Sequence, residues 1–411
     1  MKPLNRHLYS ALIAFAVLAA GCVKVDPNDP DTGKKEELNE NPRLKEAVKD
    51  MVEDAETSFK TMNAVAVWQE GGYDPSGAWL NGTERDTKHQ MWSVSKTFTG
   101  MAVGIAVGEG RLSLSEKVAP MFESEIRDAE RAIRGFETLS ESEKEEQIVN
   151  LRKAMEKMTV EDLLTMRSGH RHDPTVKYAR QYGTKLGLNL PKYIDTDAET
   201  IDVTKALNKF GKTMAGLFFE YPFEREPGVH FKYNTLATYI LSEIITKKTG
   251  ETLADYLKTR LFKPLGLDDP DWDDVQGTTA GGWGLHLTTD EMLTFGRLLL
   301  AGGKWNGRQI IPADYLRLAT EDRVTGQGAS CYIGNLFETT GYGYQTWTRK
   351  DGSLYRAVGL FGQYIIVFPE EKAVIAITSE MPSVGSLINS FGTESPRIPL
   401  ELAWKHIVPQ L

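Results

Sequence analysis

Apolar residues fall at helical spacing from Arg43 onward, with Leu44, Val48, Met51, Val52, Ala55 and Phe59 on one stripe. The period then shortens to that of strands. Residues 63–68 and 77–82 read as two strands, and the Gly-Gly-Tyr-Asp-Pro-Ser-Gly run between them suits a hairpin. A helix opens near Ser93, carries Met101, Ala102, Ile105 and Ala106, and stops at Gly108-Glu109-Gly110. Residues 111–162 are charge-rich and helical in character, and their Glu/Lys/Arg section near 123–157 reads as a solvated helix pair. Residues 187–222 read as an insertion. Beyond Pro227-Gly228, a long amphipathic helix carries Tyr239, Ile240, Ile244 and Ile245. Leu253, Tyr256, Leu257 and Leu261 continue the helical region to Pro264-Leu265-Gly266. Residues 281–286 form a tight glycine turn before another helix (Met292, Phe295, Leu298, Leu299), which ends at Gly302-Gly303. Strand spacing returns at 343–347, 353–358, 364–368 and 373–377, and a last helix carries Ile398, Leu402, Trp404 and Ile407. Two strands before the helical block and four after it predict an α+β fold. One antiparallel sheet is completed from both chain ends, and the helical block is inserted into it.

The N-terminal stretch differs in kind. Lys2 and Arg6 precede an apolar run at 8–20 that is too short to span a bilayer comfortably. It ends in Leu18-Ala19-Ala20-Gly21-Cys22, which resembles a bacterial lipobox. The expectation is a lipoprotein signal peptide over 1–22, lipidation at Cys22 and an extracytoplasmic, membrane-anchored chain; an ordinary cleaved signal peptide is the alternative. Residues 23–42 are polar and Pro-containing and read as a tether. The only other cysteine is Cys331, so acylation of Cys22 leaves no partner for an internal disulfide. A net charge of −9, with no Lys/Arg-rich block interleaved with aromatics, argues against a nucleic-acid surface.

Ser93 and Lys96 stand three apart at a helix start, so hydroxyl and amine share a face. A hydroxyl is a weak nucleophile until a base takes its proton. An amine serves as that base only when burial depresses its pKa, by up to about 3–5 units. The apolar helix with Gly100 and Gly104 offers such burial. Taken alone, Ser-x-x-Lys also fits an N-cap serine followed by a solvated lysine. Other constellations are weaker. His170-Arg171-His172-Asp173 has no third ligand at zinc spacing. The acidic run at 268–274 lacks the glycine and terminal glutamate of a Ca²⁺ loop. Gly-x-Ser-x-Gly and phosphate-cradling motifs are absent, so no metal or cofactor is called for.

Five runs occur in one order: Ser93-Val94-Ser95-Lys96; Leu163-Leu164-Thr165-Met166-x-Ser168-Gly169; Pro227-Gly228-x-x-Phe231-x-Tyr233; Gly281-Gly282-Trp283-Gly284-Leu285; and Gly359-Leu360-Phe361-Gly362-Gln363. Together, over about residues 60–405, the chain resembles the serine hydrolases of the β-lactamase and penicillin-binding-protein superfamily, in its class C-like branch. The resemblance implies a β-lactamase/transpeptidase-like α+β fold. Its α/β part would take in about 43–92 and 336–411, and its helical part about 93–335, all within a domain at 43–411. It also implies roles. Ser93 is the acylated nucleophile, and Lys96 and Tyr233 are bases coupled through a phenolate. The backbone N–H groups of Ser93 and Leu360 form the oxyanion hole. Thr235, Asn234, Gly359 and His286 are candidate substrate contacts. The match departs from the family pattern twice. Ala357-Val358-Gly359 stands where the family has a Lys or His on the strand lining the site, and Thr235 ends the Tyr-x-Asn motif. The expectation is therefore a hydrolase of a small ester or amide, or a peptide-like substrate, without the carboxylate that a cation would hold. A D,D-peptidase or β-lactamase is the alternative within this chemistry. A non-catalytic, surface-tethered binding protein is the alternative outside it. Oligomeric state is left open.

Overall fold

The computed structural model describes residues 39–174, 207–208, 211–267, 270–325, 340–380 and 397–411. Asn41 caps the first helix, α1 (Pro42–Ser58), with its side chain accepting from the Arg43 N–H. Two strands follow, β1 (Met62–Gln69) and β2 (Ser76–Trp79). Helices that bear on the site and the sheet include α2 (Ser95–Gly108), α3 (Glu123–Arg134), α4 (Glu141–Lys157), α5 (Val160–Leu164), α6 (Met214–Glu220), α7 (Thr235–Thr249) and α8 (Thr289–Leu300). Strands β3 (Thr340–Tyr342), β4 (Trp347–Arg349), β5 (Tyr355–Gly359), β6 (Gln363–Phe368) and β7 (Ala373–Ser379) come next, and α9 (Ile398–His406) lies near the C-terminus. The sheet is antiparallel with order β2-β1-β7-β6-β5-β4-β3, so the two chain ends meet where Val65 pairs with Ile377. Completion of one sheet from both ends is as expected.

Burial of the central strands on both faces explains their unbroken apolar runs. Every residue of β6 and β7 is buried. On one face Thr378 meets Thr289 of α8, while Ile365 and Val374 approach α8 at Gly296. On the other face Phe368 packs on Trp404 of α9, and α9 packs on α1.

The structure corrects three boundaries. Residues 343–347 are not a strand: 343–346 turn between β3 and β4, and the late part of the sheet has five strands among the described residues, not four. The reason is Gln345, which is buried with φ 55°. Its Nε2 donates to the carbonyls of Leu163 and Leu164, and its Oε1 accepts from the Thr238 hydroxyl. Satisfying that buried amide takes precedence over a ladder position. The strand expected at 77–82 ends at Trp79, because Asn81 at φ 54° turns the chain and its amide donates to the carbonyls of Lys60 and Met62. Helix α8, assigned by sequence to the helical part, covers the sheet instead. Most of the insertion at 187–222, with Cys22 and Cys331, lies outside the described residues.

Candidate active site

The nucleophile candidate sits in a 3-10 turn, Trp92–Val94, immediately before α2. Ser93 is half-buried there, and Trp92 before it adopts φ 48°, an uncommon conformation for an aromatic residue. The first turn of α2 is polar and yet buried: Ser95, Lys96, Thr97 and Thr99 each lie within 1% of full burial. Each spends its polar atom on a neighbouring backbone. Ser95 Oγ accepts from the Leu285 N–H at 3.3 Å, Thr97 Oγ1 donates to the Gln345 carbonyl at 2.8 Å, and Thr99 Oγ1 donates to the Gly281 carbonyl at 2.8 Å. Lys96 Nζ lies 3.0 Å from Ser93 Oγ and donates to the Gly282 carbonyl at 2.7 Å. Burial pushes its pKa down to about 7, against the opposing pull of the Asp173 carboxylate. The helical spacing therefore brings Ser93 and Lys96 together, and burial leaves a substantial neutral fraction of amine near neutral pH.

Tyr233 stands just before α7. Its ring stacks on Trp347 of β4, with centroids 5.6 Å apart and planes at 16°. Tyr342 meets the ring edge-on at 6.3 Å, and Lys96 Nζ lies 5.2 Å from its centroid. The two expected bases thus meet through the ring face, in a cation–π relation whenever the amine is charged. Neighbouring Asn234 is not a substrate contact. It is completely buried; its Oδ1 caps α7 by accepting from the Ala237 N–H, and its Nδ2 donates to Ser168 Oγ and His170 Nδ1. His170 is a core residue: Nδ1 accepts, Nε2–H donates to the Phe218 carbonyl, and burial holds its pKa down to about 3. Thr235 opens α7. Its N–H donates to Asp173 Oδ2 at 3.3 Å, and its methyl lies against Gly282.

The strand edge closes the site. β5 ends at Gly359, where a Cβ would stand 2.4 Å from the Met91 carbonyl, so only glycine lets this strand touch the turn bearing Ser93. Leu360 follows the last ladder pair, Gly359 with Gln363, and Ser93 lies in the first turn of its helix. Both are positions where regular structure does not use the N–H. Phe361, at φ 65°, meets Trp92 edge-to-face at 5.2 Å and ties the two segments together. Ala357 shares the face of Gly359, while Arg356 is buried on the opposite one, as strand alternation requires. His286 lies in a short ribbon with Gln90 and within electrostatic reach of Asp273, and no contact among the described residues joins it to Ser93.

The Beta-lactamase family model matches residues 63–386. The chain belongs to the beta-lactamase family. Members of this family are serine hydrolases, and so the chain is a beta-lactamase-fold serine hydrolase. It is 21% identical over 351 residues to the 6-aminohexanoate-dimer hydrolase of Paenarthrobacter ureafaciens, covering 83% of this chain and 76% of that protein. Among solved structures it resembles a D-stereospecific amidohydrolase from Streptomyces sp. (TM-score 0.57, 16% identity, 89% of this chain and 99% of the other). It also resembles a penicillin-binding protein homologue from Caulobacter crescentus (TM-score 0.58, 15% identity, 90% and 98%). These two likenesses concern the fold.

Sequence reasoning missed three residues that lie around Lys96 and Tyr233. In the sequence Asp173 stands only beside a histidine pair, and nothing local ties it to Lys96. Trp347 was read as a strand residue without a role. Thr99 had a legible signal that went unused: it lies one helical turn after Lys96, on the same face.

Proposed function

We propose that this protein is an extracytoplasmic, lipid-anchored hydrolase that cleaves a small ester or amide through an acyl-enzyme on Ser93. The observation that carries this reading is the buried Lys96 amine, 3.0 Å from Ser93 Oγ with a pKa of about 7. Neutral Lys96 takes the hydroxyl proton as Oγ attacks the carbonyl carbon. The carbonyl oxygen gains the negative charge and is met by the N–H groups of Ser93 and Leu360. Tyr233 passes a proton to the departing alcohol or amine, which leaves the acyl group on Ser93. The Tyr233 phenolate then takes a proton from the water that attacks the acyl carbon, and the Lys96 ammonium returns its proton to Ser93 Oγ as the acid departs, which restores both groups. Ala357 in place of a cation, and the Asp173 carboxylate near Lys96, disfavour a substrate carboxylate at this end of the cleft. The relatives named as an amide-dimer hydrolase and an amidohydrolase favour amides among the candidates.

Intact-mass measurement after a fluorophosphonate, followed by a panel of para-nitrophenyl esters, small amides and a chromogenic cephalosporin, tests the reading. The expected result is one adduct, lost in Ser93→Ala, with turnover of esters or amides exceeding that of the cephalosporin. Absence of any adduct supports a binding protein instead. The anchor is supported by the run ending at Cys22, and among the described residues no helix is long and apolar enough to cross a membrane. Cys22→Ser is expected to move the protein from the membrane fraction to the soluble one.

A further inference from the structure

The glycine turn at 281–285 touches α2 at each polar residue of one helical face. Leu285 donates its N–H to Ser95 Oγ, and the carbonyl of Leu285 accepts from the Met91 N–H at 2.7 Å. Gly282 presents its carbonyl to Lys96 Nζ at 2.7 Å, and Gly281 presents its own to Thr99 Oγ1 at 2.8 Å. The two glycines are required for different reasons. Gly281 adopts φ +67°, and a Cβ on it would stand 2.9 Å from Ser242 Cβ. A Cβ on Gly282 would stand 2.9 Å from the Thr235 methyl and 3.5 Å from Lys96 Nζ itself. The backbone is therefore pressed against the lysine, and one side chain, Thr99, holds the adjoining carbonyl in place.

An amine has one lone pair. With one N–H directed to the Gly282 carbonyl, the remaining directions on nitrogen are restricted, and Ser93 Oγ at 3.0 Å lies in reach of the lone pair. Once Lys96 takes the proton, the same carbonyl dipole faces the new ammonium. Resting on the Ser93–Lys96 reading above, we propose that Thr99 is a positioning residue: its hydroxyl anchors the Gly281 carbonyl, and so fixes the next carbonyl, that of Gly282, which orients Lys96 toward Ser93. Thr99 touches neither the substrate nor Ser93. Among the described residues, Asp173 and Tyr233 are the titratable groups that act on Lys96, and the glycine turn contributes only backbone. A shift caused by Thr99 therefore travels through the carbonyl.

The test is the rate at which a fluorophosphonate labels Ser93, followed by intact mass from pH 5 to 10, for the full chain and its Thr99→Val and Thr99→Ser variants. Thr99→Val keeps the shape and removes the hydroxyl. It is expected to label about 10-fold more slowly at its plateau, a fraction of what a general base contributes. Its labelling limb should move to lower pH, because the ammonium form of Lys96 loses a fixed acceptor. Thr99→Ser should restore both rate and limb. Labelling by Thr99→Val at the wild-type rate and pH overturns the proposal while leaving the Ser93 reading intact. So does a slower rate with an unmoved limb that serine fails to rescue, which marks Thr99 as merely structural. Failure of the wild-type protein to label at Ser93 overturns both.

Discussion

Lys96 is where stability and chemistry oppose each other most directly. An unfolded lysine binds its proton up to about pH 10.4, whereas burial lowers this one to about 7 in the folded protein. Between those values the unfolded state holds more protons, so this group's contribution makes stability rise with pH, and its full cost is felt below about pH 7. The difference corresponds to about 5 kcal/mol. Lys96→Met removes that cost but leaves the Gly282 carbonyl without its donor, a loss of about 1–3 kcal/mol. Urea unfolding at pH 7 should therefore show Lys96→Met more stable by about 2 kcal/mol and inert to fluorophosphonate, with the stability gap narrowing toward pH 10. The wild-type labelling rate should rise with pH through about 7, as Lys96 becomes neutral. Asp173→Asn removes the charge that holds the Lys96 pKa up, so the same limb should appear at lower pH. Of these residues, Ser93 and Lys96 were legible because three residues of helix suffice to join them. Asp173 was not, because its approach depends on how the loop after Gly169 packs against the start of α7.

At the scale of elements, two close approaches place the site. The first joins β5 to the nucleophile turn. Gly359→Ala puts a methyl where the Met91 carbonyl lies, and the strand must retreat from Ser93. The labelling rate should fall about 10²-fold, the usual effect of misplacing one oxyanion donor, while circular dichroism stays native. The second is the turn between β3 and β4. Gln345 binds α5, α7 and, through its carbonyl, Thr97 of α2. Gln345→Leu should cost about 2–4 kcal/mol in urea unfolding, since several buried polar groups lose their partners at once. Helix periodicity and strand alternation located α1, α2, α7, α8 and β5–β7 from sequence. The same rules misread residues 343–347, because an aromatic-rich run also satisfies strand propensity, and only the buried polar partners of Gln345 reveal a turn.

At the scale of the molecule, residues Glu40–Leu411 make one compact unit whose sheet depends on both ends of the chain. β1 has β7 as its central neighbour, and α1 packs on α9. A chain ended at Thr325 should fail to unfold cooperatively in urea, because β1 keeps only β2 beside it and α8 loses the apolar face it covers. The order of apolar and turn segments, the pairing of Ser93 with Lys96 and the family pattern were all determined by sequence, since each is encoded over one helix or one motif. Which side chains complete the site was decided only by the tertiary structure. Burial, not spacing, leaves part of the Lys96 amine neutral, and so able to accept a proton, near neutral pH. Asn234 is consumed as a cap, Trp347 backs Tyr233, and the Gly282 carbonyl aims the lysine. Each of these is a contact between segments far apart in the chain, and no local pattern carries the information about how they meet.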